Sequence, residues 1–145
     1  MTNSMSDKCF VDTNVLVYAH DRSTGKRHER ARRLLEELWE NGNAALSTQV
    51  LQELCFTLQR KAASPLATDE LRRLLKDYLA WEVVVNGPES VIEALDLQAR
   101  YKVSFWDALI LQAAETAGAS VLYSEDFAAG QSYGSIRIAN PFLND

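Results

Sequence analysis

The sequence lacks the residue patterns that identify several common classes of protein. Only two of its 145 residues are cysteine, Cys9 and Cys55, and they do not form a C-x-x-C pair. This spacing argues against a disulfide framework or a zinc site, and it predicts two buried free thiols. No apolar run approaches the ~20 residues that a transmembrane helix needs, so we expect no membrane interaction.

Motifs of several enzyme families are missing as well. The chain has no Walker A sequence, no G-x-G-x-x-G stretch and no G-x-S-x-G stretch. Nothing therefore supports an NTPase, a dinucleotide enzyme or a serine hydrolase. The first eight residues, MTNSMSDK, contain no basic segment followed by an apolar stretch, so they do not read as a secretory signal. We expect a cytoplasmic protein.

Positive charge is scarce overall but locally concentrated. The chain carries 15 Lys and Arg against 20 Asp and Glu, a net charge of -5, which disfavours broad, non-specific binding to nucleic acid. Six of the fifteen basic residues nevertheless stand within twelve positions, from Arg22 to Arg33. We call this stretch the basic segment. It is the one basic cluster in the sequence.

The composition is that of a globular protein, and the sequence pattern predicts its fold class. Hydrophobic residues make up 47% of the chain and charged residues 24%, and 145 residues is the size of one ordinary domain, so we expect a single domain over residues 1–145. Five apolar runs predict strands: KCFVDTN, AALS, EVVVN, SVLYS and SIRIA. Five segments predict helices: HERARRLLEELWENG, TQVLQELCFTLQRKA, TDELRRLLKDYLAW, GPESVIEALDLQARY and SFWDALILQAAETAGA. Because strands alternate with helices, we expect an α/β fold with a mainly parallel sheet flanked by helices.

Four of the acidic residues stand in apolar surroundings. Asp12 ends the first predicted strand, and Asp126 comes just after the strand SVLY. Glu53 and Asp107 lie near the starts of two predicted helices. In a parallel sheet, the carboxyl ends of strands and the starts of the next helices meet at one edge, where such folds bind ligands. The four carboxylates could therefore face one crevice.

Each of these acids also has an ordinary structural explanation. Asp107 could interact with the dipole of its own helix, and Asp126 could form an Asx-turn. Glu53 could lie beside a helix seam, and Asp12 could only orient Thr13. Taken separately, the four residues do not require a function.

Taken together, the four acids point to a cation. Two carboxylates about 4 Å apart repel each other by roughly 4 kcal/mol at an effective dielectric of about 20, so a cluster needs protons or metal ions. Oxygen-only ligands favour Mg²⁺ or Mn²⁺, which suits phosphoryl-transfer or phosphodiester chemistry. His20 and His28, in the predicted loop and the basic helix, are expected to be incidental surface residues. The carboxylates remain as the catalytic candidates.

The chain resembles the PIN-domain ribonucleases, most closely the single-domain toxins of bacterial type II toxin-antitoxin pairs. The resemblance rests on four blocks in order: FVDTNVLVYA, STQVLQEL, VSFWDALIL and VLYSEDF with GQSYGSIRIANPF. It implies a PIN-like three-layer α/β/α fold and Mg²⁺- or Mn²⁺-dependent endonuclease cleavage of RNA. The catalytic residues that it implies are Asp12, Glu53, Asp107 and Asp126. It also implies that three of these, Asp12, Asp107 and Asp126, hold the metal.

The resemblance extends to supporting residues and partners. Ser124 matches a position that is usually Thr in the family, and Thr13 and Asn14 match the polar residues after the first Asp; we expect these three to orient Asp12 or hold a metal-bound water. Many relatives carry another acid where this chain has Ala128. The resemblance further implies a homodimer and a small antitoxin protein that covers the active-site groove.

With an RNA substrate in view, the basic segment has two interpretations. It is either a solvated helix face or a contact for the RNA backbone, with Lys26, Arg27 and Arg30 as the candidate residues. Two other functions stay open. A Mg²⁺-dependent phosphohydrolase could form an aspartyl-phosphate on Asp12, although such enzymes usually carry D-x-D where this chain has Asn14. The chain could also be a catalytically idle PIN-like module that only binds partners.

Overall fold

The computed structural model describes residues 7–60 and 65–143, and these form six strands and six α-helices. In chain order the elements are β1 (Cys9–Val11), α1 (Thr13–Ala19), a 3-10 turn (Arg22–Thr24), α2 (Lys26–Asn41), β2 (Ala44–Ser47), α3 (Thr48–Arg60), α4 (Thr68–Tyr78), β3 (Glu82–Val84), α5 (Pro88–Tyr101), α6 (Phe105–Thr116), β4 (Val121–Tyr123), β5 (Ser132–Tyr133) and β6 (Ile136–Ala139). The alternation of strands and helices agrees with the sequence pattern.

The six strands form one sheet in the order β3-β2-β1-β4-β6-β5. All neighbouring pairs are parallel except β5 and β6, which are antiparallel. All three residues of β1 are buried, as a central strand of a parallel sheet requires when both faces are covered. The predicted α/β fold with a mainly parallel sheet flanked by helices is confirmed.

Local sequence signals explain where several helices begin and end. Helix α2 ends at Gly42, whose φ of 69° lies in the left-handed region that glycine adopts without strain. Pro88 is the first residue of α5, where its missing N–H costs no hydrogen bond. Ser104 caps α6 and accepts a hydrogen bond from the backbone N–H of Asp107. Helix α6 is buried on almost all sides, which fits its apolar sequence.

The segment after the first strand is helical. The sequence predicts that Asp12 ends the first strand, and β1 stops one residue earlier, at Val11; Thr13 then begins helix α1. The reason is Asp12, which has extended backbone angles and whose side chain accepts a hydrogen bond from Thr13 N–H, so that it caps α1. The strand-like run VLVYA is therefore helical.

Smaller differences concern three other positions. The sequence predicts Thr68 as the cap of α4, but the cap is Ala67, whose N–H donates a hydrogen bond of 3.2 Å to the Glu70 side chain. Strand β5 is not predicted by the pattern; it is the antiparallel hairpin partner of β6. Cys9 is buried as predicted, whereas Cys55 is only half-buried. The predicted end of the helix containing Cys55, at residues 61 and 62, lies outside the described residues.

None of the helices within residues 7–60 and 65–143 combines the length and the apolar character that crossing a membrane would require.

Candidate active site

The strand order places the candidate site at the centre of the sheet. Strands β2 and β3 lie on one side of β1, and β4, β6 and β5 lie on the other. The chain therefore changes direction across the sheet between β1 and β4, and a crevice forms at the carboxyl ends of such strands. Asp12 directly follows β1 and Ser124 directly follows β4, so both stand at this crevice.

Asp12 is the buried centre of the site. Its side chain has two hydrogen bonds: Thr13 N–H donates to Oδ1 and the Ser124 hydroxyl donates to Oδ2, both at 2.7 Å. Burial nevertheless raises its pKa to about 7, because the two hydrogen bonds, which favour the charged form, are outweighed by desolvation and by the negative charges of Asp126 and Glu53. Asp12 is thus a carboxyl group held in place in surroundings that disfavour its charge.

Glu53 approaches from helix α3. It is the sixth residue of α3 and lies in the second turn, deeper in the helix than the sequence prediction placed it. The Thr13 hydroxyl donates to Glu53 Oε1 at 2.7 Å, while the Thr13 backbone N–H bonds Asp12. Thr13 therefore joins two of the predicted catalytic acids through its two donors.

Asp126 and Asp107 are the other two acids at this edge of the sheet. We call Asp12, Glu53, Asp107 and Asp126 together the acidic edge. Asp126 is exposed after β4, and its backbone N–H donates to Ser124 Oγ at 3.0 Å. Asp107 lies in the first turn of α6. Its pKa is raised by burial and by the charges of Asp126 and Glu53, against the lowering effect of Ser104. The charges of Asp126 and Glu53 raise the pKa of both Asp12 and Asp107, so the four acids lie close enough to interact electrostatically.

A cleft of about 500 Å³ opens beside these acids, between α1 and α3. Its acidic end is formed by Glu53 and Asp126 with Thr13 and Asn14. The remaining lining residues are Val17, Tyr18, Gln52, Phe56 and Thr57. The cleft is large enough to hold part of a substrate next to the carboxylates.

The donors at this edge are chemically suited to a hard divalent cation. All four acids offer oxygen atoms, and a nearby cation would favour the charged form of Asp12, whose pKa is raised mainly by burial and further by the charges of Asp126 and Glu53. Gln49 Oε1 on α3 is one of several buried acceptors in the described residues without a hydrogen-bond partner, together with Asn43 Oδ1 and Gln112 Oε1, and Gln49 lies next to Glu53. Within residues 7–60 and 65–143, however, no three Asp, Glu, His or Cys side chains form a ready-made metal-binding group. The residue types fit a cation.

Several polar residues at the site were not singled out by the sequence. Gln49 is buried, and its Nε2 reaches Glu53 Oε2 at 3.5 Å and the Trp106 carbonyl oxygen at 3.4 Å, linking α3 to the start of α6. Glu125 lies between Ser124 and Asp126 and binds Tyr18 and Arg27, each at 2.7 Å. The only sequence signal for Glu125 is its place beside Asp126. For Gln49 the signal is its spacing of one helical turn before Glu53.

The remaining predicted residues lie around the cleft and on helix α2. Asn14 lines the cleft, and its Oδ1 accepts from Glu125 N–H at 3.3 Å. Lys26 is exposed at the start of α2. Arg27 pairs with Glu125 in the loop that carries Asp126, whereas Arg30 donates to the Leu143 carbonyl oxygen at 3.0 Å. Two of the three candidate RNA contacts are therefore engaged within the protein.

The two histidines form hydrogen bonds to tyrosine residues. His28 Nδ1 lies 2.9 Å from the Tyr18 carbonyl oxygen. The sequence predicts His20 at the surface, but the residue is half-buried, and its Nε2 lies 2.6 Å from the Tyr78 hydroxyl. Burial, together with the charges of Arg32 and His28, lowers the pKa of His20 to about 4. His20 is thus a neutral, internally bonded residue.

The fold and the site together define a class: a parallel α/β protein with a cluster of carboxylates at the strand edge where the chain reverses direction. The model of the PIN domain family matches residues 9–129, and the chain belongs to this family. Among curated proteins, a sequence search finds no significant match.

Solved structures share the fold at low sequence identity. A toxin-antitoxin complex from Klebsiella pneumoniae aligns with a TM-score of 0.67 at 18% identity, covering 93% of this chain and 98% of that one. The sarcin-ricin loop cleaving toxin VapC20 of Mycobacterium tuberculosis aligns with a TM-score of 0.62 at 20% identity, covering 82% and 90%. DNA-bound VapBC from Salmonella typhimurium aligns with a TM-score of 0.63 at 20% identity, covering 93% and 98%. These similarities show a common architecture.

Proposed function

We propose that the protein is a metal-dependent endoribonuclease that acts as the toxin of a type II toxin-antitoxin pair. The observation that carries this proposal is the convergence of Asp12, Glu53, Asp107 and Asp126 on one edge of a PIN-domain sheet, with mutual repulsion that a cation would relieve. One of the similar structures is a toxin-antitoxin complex and another is a sarcin-ricin loop cleaving toxin, which supports the toxin assignment.

In this proposal the acids have distinct roles. Asp12, Asp107 and Asp126 would hold Mg²⁺ or Mn²⁺, which when bound supplies an activated water and offsets the charge of the scissile phosphate. Glu53 lines the cleft, and it accepts a proton from the attacking water. Thr13 keeps the Glu53 carboxylate in place while its backbone N–H holds Asp12. Ser124 fixes the other oxygen of Asp12.

The cleavage test compares three conditions. Wild-type protein with a structured RNA and Mg²⁺ should cut, whereas addition of EDTA or the substitution Asp107→Asn should lower the rate by about 10²-fold or more, since each removes a group used in the transition state. Asp96→Asn, an exposed residue of α5, is the matched control and should cleave like wild type. Equal rates with Mg²⁺, with EDTA and for Asp107→Asn would contradict the proposed chemistry.

The same proposal extends to the partners of the protein. RNA is the substrate, a small antitoxin protein covers the cleft, and two copies of the chain associate. Helix α5 exposes Val91, Ile92 and Leu95 on its surface, which supports an interface between copies because such contiguous apolar faces are commonly covered. A monomeric mass by light scattering at micromolar concentration would contradict the dimer.

The alternative phosphohydrolase gains no support from the structure. That mechanism needs a second acid two residues after Asp12, but Asn14 occupies this position and its Oδ1 accepts a hydrogen bond from the backbone of Glu125. Hydrolysis of small phosphoesters with a trappable phospho-aspartate would revive it.

A further inference from the structure

Glu125 is a fifth carboxylate beside the acidic edge, but both of its oxygens are engaged away from the other acids. The Tyr18 hydroxyl donates to Oε1 and Arg27 Nε donates to Oε2, each at 2.7 Å. The guanidinium of Arg27 also lies over two aromatic rings, 5.7 Å from the centre of Tyr18 and 5.8 Å from that of Phe142. Glu125 is thus tied to α1 through Tyr18 and to α2 through Arg27.

The segment that contains Glu125 has no regular secondary structure. After β4 ends at Tyr123, residues 124–126 are bends and coil. Their backbone N–H groups bond in turn to the Ala139 carbonyl oxygen, to Asn14 Oδ1 and to Ser124 Oγ. Because no helix or strand fixes this segment, the position of Asp126 depends on these bonds and on the anchoring of the Glu125 side chain.

We propose that Glu125 is a positioning residue for the reaction: held by Tyr18 and Arg27, it fixes the segment that carries Asp126 against helix α1. Arg27 therefore acts through Glu125 and not by contacting the RNA backbone. This inference rests on the proposed ribonuclease function, because Asp126 matters only if the acidic edge is catalytic. The anchoring itself is a property of the folded chain and can be measured without substrate.

The geometry favours positioning over an RNA contact for Arg27. Although the Arg27 side chain is 52% exposed, its guanidinium is held by the 2.7 Å pair with Glu125 and lies over the rings of Tyr18 and Phe142. Glu125 is only 22% exposed in its side chain, so this pair is less screened by water than an ordinary surface pair. It also neutralises a carboxylate one residue from Asp126, which keeps additional negative charge away from the acidic edge.

A double-mutant cycle tests the proposal, using Glu125→Gln, Arg27→Gln and the double variant. If both residues serve one anchoring unit, each single variant should lower kcat about tenfold with KM within about twofold, and the double variant should be no worse than either. The dependence of cleavage on salt concentration should stay as in wild type. Arg72→Gln is the matched control, since it removes an exposed pair with Asp69 on α4, and it should change none of these quantities.

A second measurement is independent of catalysis. Amide hydrogen exchange of residues 124–126, followed by NMR in metal-free protein, should be at least severalfold faster in Glu125→Gln and Arg27→Gln than in wild type and in Arg72→Gln. Tyr18→Phe removes one of the two anchors and should give intermediate exchange. Unchanged exchange at these amides would overturn the proposal, even if activity fell.

The outcomes separate this inference from the proposed function. Additive losses in the cycle, or a raised KM with a smaller salt dependence in Arg27→Gln alone, would assign Arg27 to RNA binding and overturn the positioning role. If wild-type protein cleaves no RNA, the proposed function fails, and the exchange rates alone decide whether Glu125 anchors the segment. Faster exchange with coupled losses of kcat supports the proposal in full.

Discussion

The two ends of helix α1 carry two titratable groups, one buried and one half-buried, in contrasting surroundings. Asp12 caps the N-terminal end, and His20 follows the C-terminal end. Burial shifts both towards their neutral forms, raising the pKa of Asp12 to about 7 and lowering that of His20 to about 4. The same physical effect, desolvation, therefore acts at both ends of one short helix.

The neighbours of Asp12 and His20 differ, and this difference distinguishes a candidate functional site from a structural contact. His20 lies 2.6 Å from the Tyr78 hydroxyl, and Tyr78 packs against Trp39 and Trp81 with ring centres 6.0 and 5.1 Å away. Asp12 is instead buried close to the charges of Asp126 and Glu53, and these two acids line the cleft. Titratable groups whose pKa is shifted by burial and by neighbouring charges, next to a cleft, are typical of functional sites.

The contrast predicts opposite pH dependences of stability, and this is the largest expected effect. The folded pKa of Asp12 lies above its ordinary value of 3.8, so the folded state keeps a proton that the unfolded state has lost, and the Asp12 contribution to stability falls as pH rises from about 4 to about 7. The His20 contribution rises with pH from about 4 to 6.5, because its folded pKa lies below 6.5.

Substitution of Asp12 or His20 should reveal the contribution of each residue to the pH dependence of stability. Metal-free Asp12→Asn should be more stable than wild type by about 4 kcal/mol near pH 8 and equal to it near pH 4, as measured by urea unfolding. His20→Phe should make the fall in stability with rising pH steeper, since it removes the opposing contribution. Parallel stability curves for wild type and Asp12→Asn would show that the two ends of α1 do not differ as described.

The second largest effect on stability is expected from a divalent cation, which should act at the acidic edge and not at the His20 end of helix α1. If Mg²⁺ or Mn²⁺ binds the folded acidic edge, it stabilises the protein by about 2.7 kcal/mol at a concentration about 100 times its dissociation constant. The shift should disappear in Asp107→Asn and persist in Tyr78→Phe, because only the first variant alters the acidic edge. Thermal unfolding with and without the cation measures it. No shift in wild-type protein would favour a catalytically idle module.

The smallest effect is expected at the other end of α1. Tyr78→Phe leaves His20 Nε2 buried without its partner and should lower the free energy of unfolding by about 1–2 kcal/mol, with RNA cleavage unchanged. Replacing both partners, His20→Phe with Tyr78→Phe, should cost less than the single change, because no polar atom then stays unpaired. Loss of cleavage in a folded Tyr78→Phe protein would make the aromatic contact part of the site.

Much of the fold was accessible from the sequence because its signals are local. Helix α6 is predicted by its apolar composition and the Ser104 cap, and α2 by a periodicity that ends at Gly42. Helix α1 was missed because it has only seven residues and VLVYA is apolar throughout, so that this run resembles a strand. The short strand β5 was missed because two residues carry no pattern; only pairing with β6 defines them.

The candidate acids were found for a different reason: Asp12, Glu53, Asp107 and Asp126 are charged residues in apolar segments, and a resemblance to a family connects them. Their partners could not be found in this way. Thr13 donates to an acid forty residues away, and Tyr18 donates to Glu125 more than a hundred residues away. Such contacts depend on how helices pack on the sheet.

The alternation of strands and helices and the acids at element ends follow from local sequence, because propensity, capping and burial preference act within a few residues. The burial and the contacts of each acid follow instead from tertiary packing. It buried Asp12 between two hydrogen-bond donors, left Glu53 and Asp126 open to the cleft, and directed Glu125 towards Arg27. Desolvation and charge depend on every neighbouring chain segment, and so these distinctions arise only when the sheet and its helices are packed together.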